Sequence, residues 1–399
     1  MNDQRPTVGG LFLREWQTLV NDKTIRLVIF IVPILYCVLF GYLYSEKKVQ
    51  ELPTVIVDQD QSVLSQELTR AFDRDQTFAV TGVVGSESEA MDWVDHEKAY
   101  VAVIIPPNLA ADIKQGKSSE VMVVIDGSNM MISNTSIRAA NSVIKTVSGG
   151  ITLKQLEAKG EWGDSGKNLF TGIDYRYRVL YNPTFSYDTF MVLGLAGTVL
   201  QQCLFLAVAL SVSLEKEMGT WGNTMRQYGF WKLLAGKVTP YLIIGMFNLV
   251  LVFTVLLKGF GIPYSGQLLD LLLIGFVFNL VVALLGFAIS FFTGSQLQST
   301  QIAMLIALPS FMLSGYTWPL FQMPALIRGI GEALPLTYFL HSVREIINKG
   351  HGLSFITNDF AILTFMGLLS LTACYALYAW HSNRTVQDTS KVEESSQVL

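Results

Sequence analysis

Apolar residues in this chain gather into runs longer than the core face of a soluble helix requires. Six uncharged stretches stand out, over residues 27–45, 189–214, 238–257, 271–293, 297–316 and 360–380. About 20 residues at a rise of about 1.5 Å cross a hydrocarbon core about 30 Å thick, so each stretch reads as a bilayer span. Every Lys and Arg falls outside all six, which matters because a charge at mid-bilayer costs about 2.5–3.5 kcal/mol. The first run is too long for the core of a signal peptide, is interrupted by Pro33 and precedes no small-residue cleavage site. It reads as an anchor.

Between the first two runs the periodicity changes. Over residues 46–187, strand-like "PTVIVDQD", "FAVTGVV", "AYVAVIIPP" and "EVMVVIDGSN" alternate with helical "SVLSQELTRAFDRD", "SEAMDWVDHEK" and "NLAADIKQG". Leu64, Leu68 and Phe72 recur at helical spacing. Alternating strands and helices predict an α/β layer domain with a mostly parallel sheet. A long helical pattern follows Asn129, then a loop, "WGDSGKNLFTG". At the amino end, residues 1–26 include "GLFLREWQTLVNDK", where Leu11, Trp16 and Leu19 predict a short interfacial helix. Residues 317–350 are apolar but broken by Pro319, Pro324 and Pro335, so they predict short helices at or re-entering the outer interface. Residues 382–399 form a polar tail. The expected fold is an α-helical polytopic membrane protein with six transmembrane helices and an inserted extracytoplasmic α/β domain.

Charge orients this arrangement. Arg5, Arg14, Lys23, Arg26, Lys216, Arg226, Lys232, Lys237, Arg384 and Lys391 flank one side of the spans; only Lys258, Arg328, Arg344 and Lys349 flank the other. The excess marks the cytoplasmic side. Both termini and residues 214–237 are therefore expected in the cytoplasm, with the protein multi-pass in the cell (inner) membrane. The insert holds 14 basic and 19 acidic residues, which argues against a nucleic-acid partner. Cys37, Cys203 and Cys374 all lie in spans, with no disulfide framework or metal spacing.

The chemistry is mostly negative. "GFWKLLAGKVT" superficially resembles a phosphate loop, but six residues separate Gly229 from Gly236, and Val238 stands where a hydroxyl should hold Mg²⁺. No nucleophile elbow or HExxH appears. The chain does not read as an enzyme, and no cofactor is expected in it. No Asp, Glu, His or Lys lies at mid-span, which weakens the case for an ion-coupled transporter. Gln201, Gln202, Asn248, Asn279 and Ser290 are the mild polar groups there; they either bond between helices or line a path. Asp58 and Asp126 end strands, a place for a ligand or for ordinary turn chemistry.

One charged stretch remains, "SLEKEMGTWGNTMRQYGFWKLLAGK", between the second and third runs. It reads either as an aromatic-belted loop or as a docking element for a soluble partner. Glu215, Lys216, Glu217, Gly219, Thr220, Gly236 and Lys237 resemble the E-[RK]-E-x-G-T loop and following GK of ABC-2 type ABC transporter permeases. "REWQTLVNDKTIRLVIFIVPILYCVLFGY", "VIVDQDQSVLSQELTRAF", "VLYNPTFSYDTFMVLGL" and "LPLTYFLHSVREIINKG" are similar to further family segments in the same order, in the subgroup with a large extracytoplasmic domain after the first span. The resemblance implies a permease subunit of an ATP-driven exporter. Its partners would be separate ABC ATP-binding subunits that hold ATP and Mg²⁺, a second copy or sibling permease, and a periplasmic adaptor where the host has two membranes. It implies coupling to the ATPase through Glu215, Lys216, Glu217, Gly219, Thr220 and Arg226, with Gln201, Gln202, Asn248 and Asn279 as path residues. The alternative is a membrane-anchored sensor or scaffold whose outer domain binds a ligand or partner.

Overall fold

A proline shapes the first long helix. The computed structural model describes residues 7–44, 49–115, 117–159, 180–182 and 186–397. Helix α1 (Val8–Asn21) is capped by Thr7, whose hydroxyl accepts from the Gly10 N–H. The Asp22 carboxylate then accepts from Thr24 and Ile25 N–H, at 2.9 Å each, and starts α2 (Lys23–Leu43). Pro33 has no N–H, and its ring crowds the carbonyl four residues back, that of Ile29. The backbone widens over Leu27–Ile31, where Val32 N–H reaches the Leu27 carbonyl.

The described residues divide into two compact units, Glu46–Arg178 and the remainder. In the first, β1 (Leu52–Asp58), α3 (Val63–Arg74), β2 (Phe78–Val84), α4 (Glu87–Asp95), β3 (Val101–Ile105), α5 (Leu109–Lys114), β4 (Met122–Ile125) and α6 (Met130–Lys159) follow in order. The sheet runs β2-β1-β3-β4, with β1 parallel to both neighbours and β3 antiparallel to β4. Alternate residues of β3 face opposite layers. Val101, Val103 and Ile105 pack with Leu68, Phe72 and Val143; Ala102 and Ile104 pack with Val55, Val57 and Ala90. Asp58, one of the two strand-end carboxylates, accepts from Asp60 and Gln61 N–H and from the Ser65 hydroxyl, so it is turn chemistry. Asp126 likewise accepts from Ser128 N–H. The expected loop over residues 162–172 lies outside the described residues.

The second unit continues with α7 (Asp188–Glu217), α8 (Trp221–Gly259), α9 (Leu268–Ser290), α10 (Gln296–Leu313), α11 (Ala325–Glu332), α12 (Pro335–Val343) and α13 (Leu353–Gln397). Among the described residues five helices are long and apolar enough to cross a membrane: α2, α7, α8, α9 and α13 up to Ser382. The expected span over residues 297–316 is α10, and it is not among them. Its first turns carry Gln296, Gln298, Ser299, Thr300 and Gln301, leaving an apolar stretch over residues 302–313. Twelve residues reach about 18 Å, short of a core about 30 Å thick. Helix α7 is the hub: 72% of its apolar window is buried, against 22% for α13 and 28% for α2. The latter two leave most of their apolar residues outside the core of this chain. Residues 382–397 prolong α13.

Candidate functional site

The turn between α7 and α8 is short and sharply made. Gly219 N–H bonds to Lys216 carbonyl at 3.0 Å, and Thr220 N–H to Glu215 carbonyl at 2.9 Å, with Gly219 at φ +70°. This pair of bonds around a left-handed residue closes the end of α7 and needs glycine. A second left-handed glycine, Gly229 (φ 66°, ψ 166°), breaks α8, so residues 221–228 form a short helix of their own.

Successive helical residues point about 100° apart, and the three consecutive charges of α7 have three separate surroundings. Glu215 points inward. Its Oε1 receives Lys237 Nζ at 2.8 Å and an Arg14 guanidinium nitrogen at 2.5 Å. Lys237, 1% exposed, also contacts Glu15 Oε1 at 2.7 Å. Two carboxylates and two cations thus join α1, α7 and α8. Burial pushes the Glu15 carboxyl above its usual range, against the pull of Lys237, and the neighbouring Glu215 adds to the push. Lys216 turns to α9 and donates to the carbonyls of Ser290, Phe291 and Thr293 at 2.5, 3.1 and 2.7 Å, where the helix dipole leaves unpaired acceptors. Beside it the hydroxyls of Ser213, Thr293 and Ser299 form a closed triangle, 2.5–3.0 Å on a side. Glu217 is exposed and accepts from the Gln296 amide groups at the start of α10.

The surface of this region is therefore smaller than the charged run implies. Glu215 and Lys216 are taken up inside the fold, while Glu217, Met218, Gly219, Thr220, Arg226, Gln227 and Trp231 are exposed. Directly behind that surface lies the ion cluster that joins α1, α7 and α8.

The four amide residues separate into two pairs. Gln201 and Gln202 line a cavity of about 250 Å³ with Phe205, Ile289, Ser310 and Pro335, between α7, α9, α10 and α12. The Gln201 Oε1 is buried without a partner. Asn248 and Asn279 lie elsewhere and hold helices: Asn248 donates to the Ile29 carbonyl at 2.6 Å, and Asn279 to the Met246 sulfur at 3.4 Å.

Glu15 was not among the expected site residues, although its signal is present. It stands at i+4 from Leu11 and i−4 from Leu19, and all three are at most 1% exposed. A carboxylate centred in an apolar stripe asks for a buried cation. Trp16, assigned to that face from sequence, is 37% exposed on another side; it is 140° round the helix from Leu11.

Comparison with known proteins fits this architecture. The family model described as ABC-2 family transporter protein matches residues 23–376. The probable multidrug ABC transporter permease YbhR of Escherichia coli is 25% identical over 369 residues, covering 92% of this chain and 97% of that protein. YbhS, a probable multidrug permease of the same organism, is 27% identical over 350 residues, covering 86% and 89%. The linearmycin resistance permease protein LnrN of Bacillus subtilis is 24% identical over 383 residues, covering 87% and 94%. The family supplies the membrane-embedded, non-catalytic part of a transporter that works with ABC ATP-binding subunits. With a match over most of its length, this chain belongs to the ABC-2 family of transporter proteins.

Proposed function

We propose that the chain is the permease subunit of an ATP-driven exporter and that the separate ATPase grips the exposed surface of residues 217–231. The observation that carries this reading is the buried Glu215–Lys237–Glu15 cluster, joined from its half-exposed edge by Arg14, immediately behind that surface. A force applied at the turn meets three helices locked by charge rather than one loose loop. ATP and Mg²⁺ belong to the partner chain. Helix α10 serves as a short sixth span, the α/β unit lies outside the inner membrane, and both termini lie in the cytoplasm, as the excess of Lys and Arg supports. A second copy or a sibling permease completes the path, to which Gln201 and Gln202 contribute; a periplasmic adaptor would meet the outer unit. The words "multidrug" and "linearmycin resistance" in the names of relatives support amphiphilic, drug-like substrates.

The test is co-expression with the cognate ATP-binding subunit, comparing wild type with the surface variant Glu217→Lys/Arg226→Glu. The variant is expected to co-purify with less ATPase and to lose ATP-dependent dye extrusion, with unchanged melting of the permease. Full complex formation together with full extrusion would remove the coupling surface from these residues.

A further inference from the structure

A second cavity opens at the other end of α7. Phe190 and Glu215 are 25 residues apart on that helix, about 37 Å at a helical rise. Next to Phe190, which packs on Tyr316, residues of the α10–α11 connection, α12, Arg344 just after it and α13 line a cavity of about 340 Å³. Its walls include Tyr316, Leu320, Phe321 and Tyr338; its charged lining is Arg344, His341 and Asp359.

The charged groups here are unevenly partnered. His341 Nδ1 lies 2.6 Å from Asp359 Oδ2, which also accepts from the Ser342 hydroxyl at 2.8 Å. The next carboxylate, Glu345, is met by Lys349 and by His351 Nδ1 at 2.6 Å. Arg344 alone has no carboxylate partner among the described residues. One of its nitrogens donates to the Tyr316 carbonyl at 2.9 Å, and its guanidinium lies 4.3 Å from the centre of the Tyr316 ring. The contact holds the guanidinium against the ring. Arg344 and His341 are three apart on the helix and so share a face. Phe321 in the cavity wall is 74% exposed, and neighbouring Trp318, 57% exposed, is a residue type that sits at headgroup level in a bilayer.

From this geometry we infer that the cavity binds the phosphate of an anionic amphiphile, with Arg344 holding the phosphate and Leu320, Phe321 and Tyr338 covering the first part of the chain. A planar guanidinium pre-set against an aromatic ring suits two-pronged recognition of phosphate. Asp359 is already engaged by His341 and Ser342, so Arg344 is the lining cation left to meet it. The inference stands independently of the coupling surface and of the direction of transport.

The experiment is native mass spectrometry of the full chain in non-ionic detergent, with phosphatidylglycerol or phosphatidylcholine added. Wild type should retain phosphatidylglycerol in preference to phosphatidylcholine. Arg344→Gln should lower that retention about tenfold, whereas Arg344→Lys, which keeps the charge and loses the fork, should lower it less. Phe321→Ala removes an exposed wall without touching the core and should also weaken retention. Adding inorganic phosphate identifies the source: displacement means that the free ion suffices, and persistence of the bound lipid means that the chain is required. Equal retention by wild type, Arg344→Gln and Phe321→Ala, or equal retention of both lipids by wild type, overturns the inference.

Discussion

The side-chain amide of Asn248 donates a 2.6 Å hydrogen bond to the carbonyl of Ile29, the one carbonyl that Pro33 deprives of its helical donor. An unsatisfied carbonyl in hydrocarbon costs several kcal/mol, so a proline in one span and an asparagine in another form a single feature. Replacing Asn248 with Leu should lower stability by about 1–3 kcal/mol, the cost of leaving a buried acceptor unmet. The Asn248 Oδ1 has no partner of its own, which places the loss towards the lower figure. On a Pro33→Ala background, which returns an N–H to Ile29, most of the loss should vanish. Thermal melting of the four members of this double-mutant cycle in detergent checks it; additive losses would show that the two residues are independent.

The buried ion cluster makes an asymmetric prediction. Lys237→Met strands the buried Glu15, while Glu215 keeps Arg14, and should cost about 3–5 kcal/mol. Glu15→Gln should cost about 1 kcal/mol, because burial already favours the uncharged carboxyl and the amide is close to it in shape. Removing all the charge together, as Glu15→Leu/Lys237→Met/Glu215→Leu with Arg14→Leu, should recover much of the single-variant loss while abolishing coupling to the ATPase. Melting temperature and ATP-dependent extrusion, measured side by side, separate the two effects.

Lys216 caps the end of α9 from within the fold. Lys216→Met leaves the last carbonyls of α9 without their donor and should cost about 1–3 kcal/mol. Hydrogen exchange should rise at residues 287–295 and stay unchanged across the α/β unit. Equal protection in both proteins would remove the capping role.

The cluster at the far end of α7 is sensitive to pH. The hydrogen bond to Asp359 raises the His341 pKa; burial opposes it, the charges of Asp359 and Glu345 add to the rise, and Lys349 subtracts. Glu345 is pulled up by burial but held below its usual range by hydrogen bonds from Lys349 and His351 and by the charges of Lys349 and His341. A base whose folded pKa is raised stabilises the fold fully below its ordinary value of 6.5 and loses that contribution as pH climbs through the folded value. The gap in melting temperature between wild type and His341→Gln should therefore be widest below that pH and close above it. A gap independent of pH would show that the imidazole acts by packing alone. Glu345 acts with the opposite sign, since its contribution is lost as pH falls.

Much of this was legible along the chain. The long uncharged runs identify α2, α7, α8, α9 and α13, because a bilayer imposes length and apolarity on a local stretch. The strand and helix periods of the insert likewise foretell its sheet. Helix α10 is less legible: its apolar residues continue a run, but its opening turns are polar and shorten the apolar stretch. The charged run was read as one surface because sequence adjacency resembles spatial adjacency. On a helix it is not, and Glu215, Lys216 and Glu217 turn to three different neighbours.

What the sequence by itself determined is the class of protein: hydrophobic length, the side bearing Lys and Arg, the alternating insert and the ordered motifs are each carried by neighbouring residues. What only the tertiary structure decided is which distant groups satisfy one another. The Ile29 carbonyl meets Asn248, Glu15 meets Lys237, and Lys216 meets the end of α9, across separations of some 70 to 220 residues. The physical reason is the same in each case. A buried polar group must find a partner wherever packing brings one, and packing is settled by all the helices together.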